Sequence, residues 1–111
     1  MQRWRDCVLR KPHQFQHVWS HGQCFKTHWC YFYWQDVGLP HGRLGIVASK
    51  KSYKLAVHRN AIKRLHRTLF RQCDAETLKM DVIVVVRRRP TLPEYHALLD
   101  CWSRFCASLK C

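Results

Sequence analysis

The sequence predicts a single α+β sandwich domain, one mixed sheet with helices packed against it. Three observations carry that reading. The chain has 111 residues, the usual size of one compact core. Helical and strand periodicities succeed one another along it with no internal repeat or low-complexity stretch. The run Val82-Ile-Val-Val-Val86 is continuously β-branched, as expected of an interior strand covered on both faces.

Element by element, residues 1–10, with Arg3, Arg5 and Arg10, read as a basic arm of the one domain over 1–111. Pro12 suits a first helical turn, Phe15, Val18 and Trp19 follow at i, i+3, i+4 spacing, and Gly22 is a stop, which predicts a short amphipathic helix. Gln23 to Gln35 is dense in aromatic and β-branched residues and reads as a strand broken near Lys26 to His28. Alternation puts Trp29, Tyr31 and Tyr33 on one face and Cys30, Phe32 and Trp34 on the other. Such a strand is either covered twice, or covered once and offering aromatic surface to unstacked bases. Asp36 to Gly42 is a turn cluster, so the strand over Arg43 to Ser49 is expected to form a hairpin with the one before it. Lys50 to Leu55 is a basic connection, and Ala56 to about Gln72 is helical. The strand over Asp81 to Arg87 follows that helix, which implies a β-α-β unit with parallel pairing. Leu98, Leu99, Trp102, Phe105, Cys106 and Leu109 predict a closing helix over 94–109.

Composition narrows the partner. Twenty Lys and Arg stand against seven Asp and Glu, a formal charge of +13, which strains a small fold through self-repulsion unless a polyanion compensates it. A hydrophobic share of 47% places that charge on a folded body and not on a disordered tail. On the helix from Ala56, Val57, Ala61, Ile62, Leu65 and Leu69 share one side, and Arg59, Asn60, Lys63, Arg64, Arg67 and Arg71 the other. No acidic residue occurs from Val37 to Cys73, although a merely solvated helix mixes Glu among its cations to gain i,i+4 pairs. A nucleic acid is the expected partner.

Seven cysteines with no C-x-x-C pair, behind an N-terminal stretch without a leader's apolar run, point to a reduced, cytoplasmic setting. The pairs His21-x-x-Cys24 and His28-x-Cys30 lack a second ligand pair at zinc-finger spacing, so no metal site is assigned in the chain. The longest apolar run is far short of the ~20 residues a membrane helix needs, and no membrane partner is expected. The acidic residues are scattered, with no clustered carboxylates to hold two metal ions, so no catalytic residue is assigned.

The stretch Arg43-Leu-Gly-Ile-Val-Ala-Ser-Lys50-Lys51, a short basic spacer, then Arg59-Asn60-Ala-Ile-Lys63-Arg64-Leu-His-Arg67, and then Met80-Asp-Val-Ile-Val-Val-Val-Arg87 resembles the bacterial ribonuclease P protein family in order and spacing. That family's signature is an R-x-G-x-x-x-x-K-K strand followed by R-N-x-x-K-R on the next helix. The resemblance implies an αβββαβα sandwich of about four strands and three helices, like ribosomal protein S5 domain 2, with a left-handed β-α-β crossover where the general rule for parallel strands expects a right-handed one. It implies a protein monomer in a 1:1 ribonucleoprotein with a catalytic RNA that removes the 5′ leader of precursor tRNA. In such a particle Mg²⁺ is held mainly by the RNA, and no organic cofactor is needed. Arg43, Lys50, Lys51, Arg59, Asn60, Lys63, Arg64 and Arg67 would meet the catalytic RNA. Phe15, Trp19 and Tyr33 would line a cleft for the leader, while Trp29 and Tyr31 are read as structural. Two departures stand out: Ala61 replaces the third residue of the family's common R-N-R, and the spacer Ser52 to Leu55 lacks a glycine frequent there. The alternatives are another basic RNA-binding or ribosome-associated protein of similar fold, and a self-sufficient ribonuclease using His and Lys.

Overall fold

Pro12 opens the first helix, α1 (Pro12–His21), where a missing N–H costs nothing, and the Lys11 N–H donates to the Gln14 side chain across the first turn. The computed structural model describes residues 8–9, 11–36, 38, 41–48, 53–73, 79–87 and 95–110. After α1 come β1 (Gln23–Lys26), β2 (Cys30–Asp36), β3 (Arg43–Val47), α2 (Ala56–Gln72), β4 (Met80–Val86) and α3 (Tyr95–Lys110), the αβββαβα order implied above. Lys50, Lys51 and Ser52 lie outside the described residues.

The four strands form one mixed sheet in the order β1-β2-β4-β3. β1 and β2 are the antiparallel hairpin, broken where Thr27 Oγ1 donates to the Cys30 carbonyl at 2.7 Å. β2 and β3 are not a hairpin, contrary to the reading from the turn cluster: β4 lies between them, antiparallel to β2 and parallel to β3. A turn-rich segment only permits a hairpin. β4, apolar on both faces, takes the interior position where both of its edges are paired. The parallel β3-α2-β4 unit is as expected.

Alternation sorts the side chains. Cys30 and Phe32 of β2, Leu44 of β3, and Val82, Val84 and Val86 of β4 face a core shared with Ile62, Leu69 and Phe70 of α2 and with Leu98, Trp102 and Phe105 of α3. Phe32 stacks on Phe105 with centroids 4.4 Å apart and meets Trp102 edge-on at 4.9 Å. On the other face Val18 of α1 packs with Ile83, Leu9 and, partly buried, Phe15, Tyr33, Val47 and Val85. α1 thus covers one face of the sheet, and α2 and α3 cover the other.

Two further expectations are corrected. Val8 bridges Leu44 in parallel and the Leu9 N–H donates to the Leu44 carbonyl, with Leu9 buried, so the packed domain begins within the stretch read as an arm. That pairing covers the outer edge of β3 at Leu44, where an edge strand presents backbone groups that need partners. On α2 the buried stripe is Ile62, His66, Leu69 and Phe70, while Val57 is 66% exposed and Ala61 also faces out. The stripe is turned toward His66 and Phe70 because Trp102 offers both a ring surface and a hydrogen-bond donor there.

Candidate nucleic-acid interface

α2 presents Asn60, Arg64, Arg67 and Arg71 exposed along one side, with Arg59 and Lys63 half-buried at its border. Arg59 uses one terminal nitrogen to donate to the carbonyls of Tyr53 and Lys54, at 2.7 and 3.2 Å. It therefore ties down the connection in front of α2, a role the sequence reading did not give it. Arg43 stands apart from this patch. Its guanidinium grips Asp81 on the adjacent strand in a two-pronged pair, Nε to Oδ1 at 2.8 Å and Nη2 to Oδ2 at 2.6 Å. A cation so committed is spent on the fold.

The second surface lies between α1 and the sheet. Phe15 lies over Gly45 of β3 so closely that a Cβ there would stand 2.6 Å from its ring, so glycine is what lets the helix approach. Trp19, 40% exposed, meets Tyr33 of β2 edge-on with centroids 4.7 Å apart. At the rim, His17 Nδ1 and Gln35 Oε1 lie 2.6 Å apart and pin α1 to the end of β2. Desolvation, and after it the neighbouring Cys24 and Tyr31, hold the Tyr33 phenol above its ordinary range, so it is neutral at pH 7.

Phe15, Trp19 and Tyr33 are thus brought together as expected, and the open sheet face continues past them. Tyr31 shares that face, half-buried, with the Lys26 ammonium 5.3 Å and the Arg87 guanidinium 5.0 Å from its ring centroid. That Tyr31 and Tyr33 share a face is as alternation along the strand predicts. A hollow of about 450 Å³ lined by Thr27, His28, Tyr31 and Arg87 ends the band.

The described carboxylates do not suit a protein-held Mg²⁺ ion. Asp36 accepts from the Gly38 N–H, Asp81 is held by Arg43 and Asp100 pairs with Arg104. Among the described residues no three His, Cys, Asp or Glu side chains gather as a metal site, and no helix is long and apolar enough to cross a membrane.

Known proteins share this architecture. The ribonuclease P protein component of Pseudomonas putida (strain GB-1) is 40% identical over 80 residues, which are 67% of this chain and 58% of that protein's length. The counterpart of Coxiella burnetii (strain Dugway 5J108-111) is 25% identical over 107 residues, 96% of this chain and 86% of its own. Among solved structures, a mutant of the Staphylococcus aureus RNase P protein superimposes with a TM-score of 0.79 at 28% identity, covering 93% of this chain and 90% of that one. A family model described as Ribonuclease P matches residues 4–110. With that match across nearly its whole length, on the same three-helix, four-strand fold, the chain belongs to the ribonuclease P protein family.

Proposed function

We propose that this chain is the cytoplasmic protein subunit of a bacterial ribonuclease P, one copy per particle, that binds the catalytic RNA and the 5′ leader of precursor tRNA and promotes removal of that leader. The carrying observation is the side of α2 with Asn60, Arg64 and Arg67 exposed on a segment without a single acidic residue. Arg59 and Lys63 border that patch, and the family resemblance adds the charges of Lys50 and Lys51 to it. Its cations neutralise RNA phosphates and release counterions, and Asn60 adds a hydrogen bond. The leader lies in the cleft of Phe15, Trp19 and Tyr33, where any base stacks on an aromatic face without its sequence being read. The Mg²⁺ ions that drive phosphodiester hydrolysis sit on RNA phosphates, and this chain supplies no catalytic residue.

The test is cleavage of precursor tRNA at low Mg²⁺ by the purified protein, with and without the catalytic RNA. The expected result is cleavage only when both are present, faster than with the RNA alone. Cleavage by the protein alone that persists in EDTA would instead assign a self-sufficient ribonuclease, and no stimulation would assign another RNA-binding role.

A further inference from the structure

The crossing of α2 and α3 holds a groove at the edge of the basic side of α2. Ala61, Arg64, Leu65 and Thr68 of α2 face Tyr95 at the start of α3 across about 300 Å³. A second hollow of about 210 Å³, lined by Arg64, Arg67, Thr68 and Arg71, continues it along the helix. The floor is apolar, made by Ala61, Leu65 and the Tyr95 ring, and the rim is guanidinium. Tyr95 is 41% exposed there.

The departure at Ala61 acquires a meaning in this setting. A long side chain at position 61 would fill the groove, whereas a methyl group leaves room beside Tyr95 for one flat ring and its sugar, and far too little for a duplex. Charge selects the ligand: Arg64, Arg67 and Arg71 rise from a helix with no acidic residue, so the flat ring belongs to a polyanion. We propose that this groove takes one unstacked nucleobase of the RNA bound by α2, its ring against Tyr95 and its flanking phosphates on Arg64, Arg67 and Arg71. Stacking supplies the attraction for the base and the guanidinium rim that for the backbone. The inference rests on the proposed binding of the catalytic RNA.

The test uses the full chain and the transcribed catalytic RNA. Tyr95→Ala should weaken binding about tenfold and Tyr95→Phe less than about twofold, as loss or retention of one stacked base requires. Ala61→Leu fills the floor at an exposed helical position without changing charge, and should weaken binding to a similar extent. None of the three should change the slope of log K against log salt, because no cation is removed. A photoreactive benzoylphenylalanine introduced at Tyr95 should crosslink to an unpaired nucleotide. Unchanged affinity in both Tyr95→Ala and Ala61→Leu, or a crosslink falling in a duplex, would overturn the proposal while leaving RNA binding by α2 in place. Failure of the wild-type protein to bind the RNA would instead remove the functional reading on which it rests.

Discussion

Arg43 and Asp81 sit on adjacent strands 38 positions apart in the chain, and their side chains are 19% and 3% exposed. Breaking a buried pair from one side leaves the other charge without a partner, so Arg43→Ala should destabilise the fold by on the order of 3 kcal/mol. Urea unfolding measures this, and a loss below about 1 kcal/mol would return Arg43 to the surface patch. His66 makes a sharper prediction. Its Nδ1 accepts from Trp102 Nε1 at 3.0 Å, and Nε2 is buried without a partner. Burial pushes its pKa from 6.5 down to about 4. Between those two values the unfolded chain holds more protons than the folded one, so stability should fall as pH drops from 6.5 to 4 and be fully present above 6.5. The amount is on the order of 3 kcal/mol. Urea midpoints at pH 7.5 and 4.5 test it: His66→Leu should be less stable at pH 7.5, with Trp102 left without its acceptor, yet lose less on acidification. An equal loss in both proteins would place the acid sensitivity elsewhere.

At the scale of elements, α1 has two uses for its apolar stripe. Val18 is buried against Ile83 and serves the core, while Trp19, one residue on, is partly open and leans on Tyr33. Trp19→Ala should therefore leave the fold largely intact and weaken binding of precursor tRNA by about 1–3 kcal/mol while sparing mature tRNA, which has no leader to stack. Fluorescence titrations of the two RNAs compare them, and equal losses would mean that α1 itself had been disturbed. The extents of α1, α2 and α3 were legible from helical spacing and from Pro12 and Gly22. Strand partners were not, because the turn cluster before Arg43 is compatible with a hairpin and with a crossing to the far side of β4. The face of α2 was half legible. Its cations were plain, but periodicity ranks Val57 above His66 for burial, and only the Trp102 indole on α3 makes the histidine the better core residue.

For the whole molecule the governing quantity is charge. A net +13 on 111 residues favours any polyanion, and the fold gives it direction by setting Arg64, Arg67 and Arg71 on the outside of α2. Arg64→Ala should weaken binding of the catalytic RNA and lower the salt slope by about one counterion, whereas Trp19→Ala should leave that slope unchanged. Binding measured at several salt concentrations separates the two, and an unaltered slope for Arg64→Ala would make that residue a solvated bystander. The aromatic cleft and the basic helix lie on opposite faces of one sheet, so the proposed function has two RNA segments held at once without competing.

Local pattern sufficed for the fold class, the element order and the basic helix, since each is written in residues close together in the chain and governed by periods of 3.6 or 2, while the aromatic trio came from the family resemblance. The strand order, the commitment of Arg43 to Asp81, the burial of His66 and the meeting of Phe15 and Trp19 with Tyr33 depend on residues far apart in sequence. Those features follow from which surfaces meet once the sheet has closed around β4, where the free energy of a side chain is set by its neighbours in space and no longer by its neighbours in the chain.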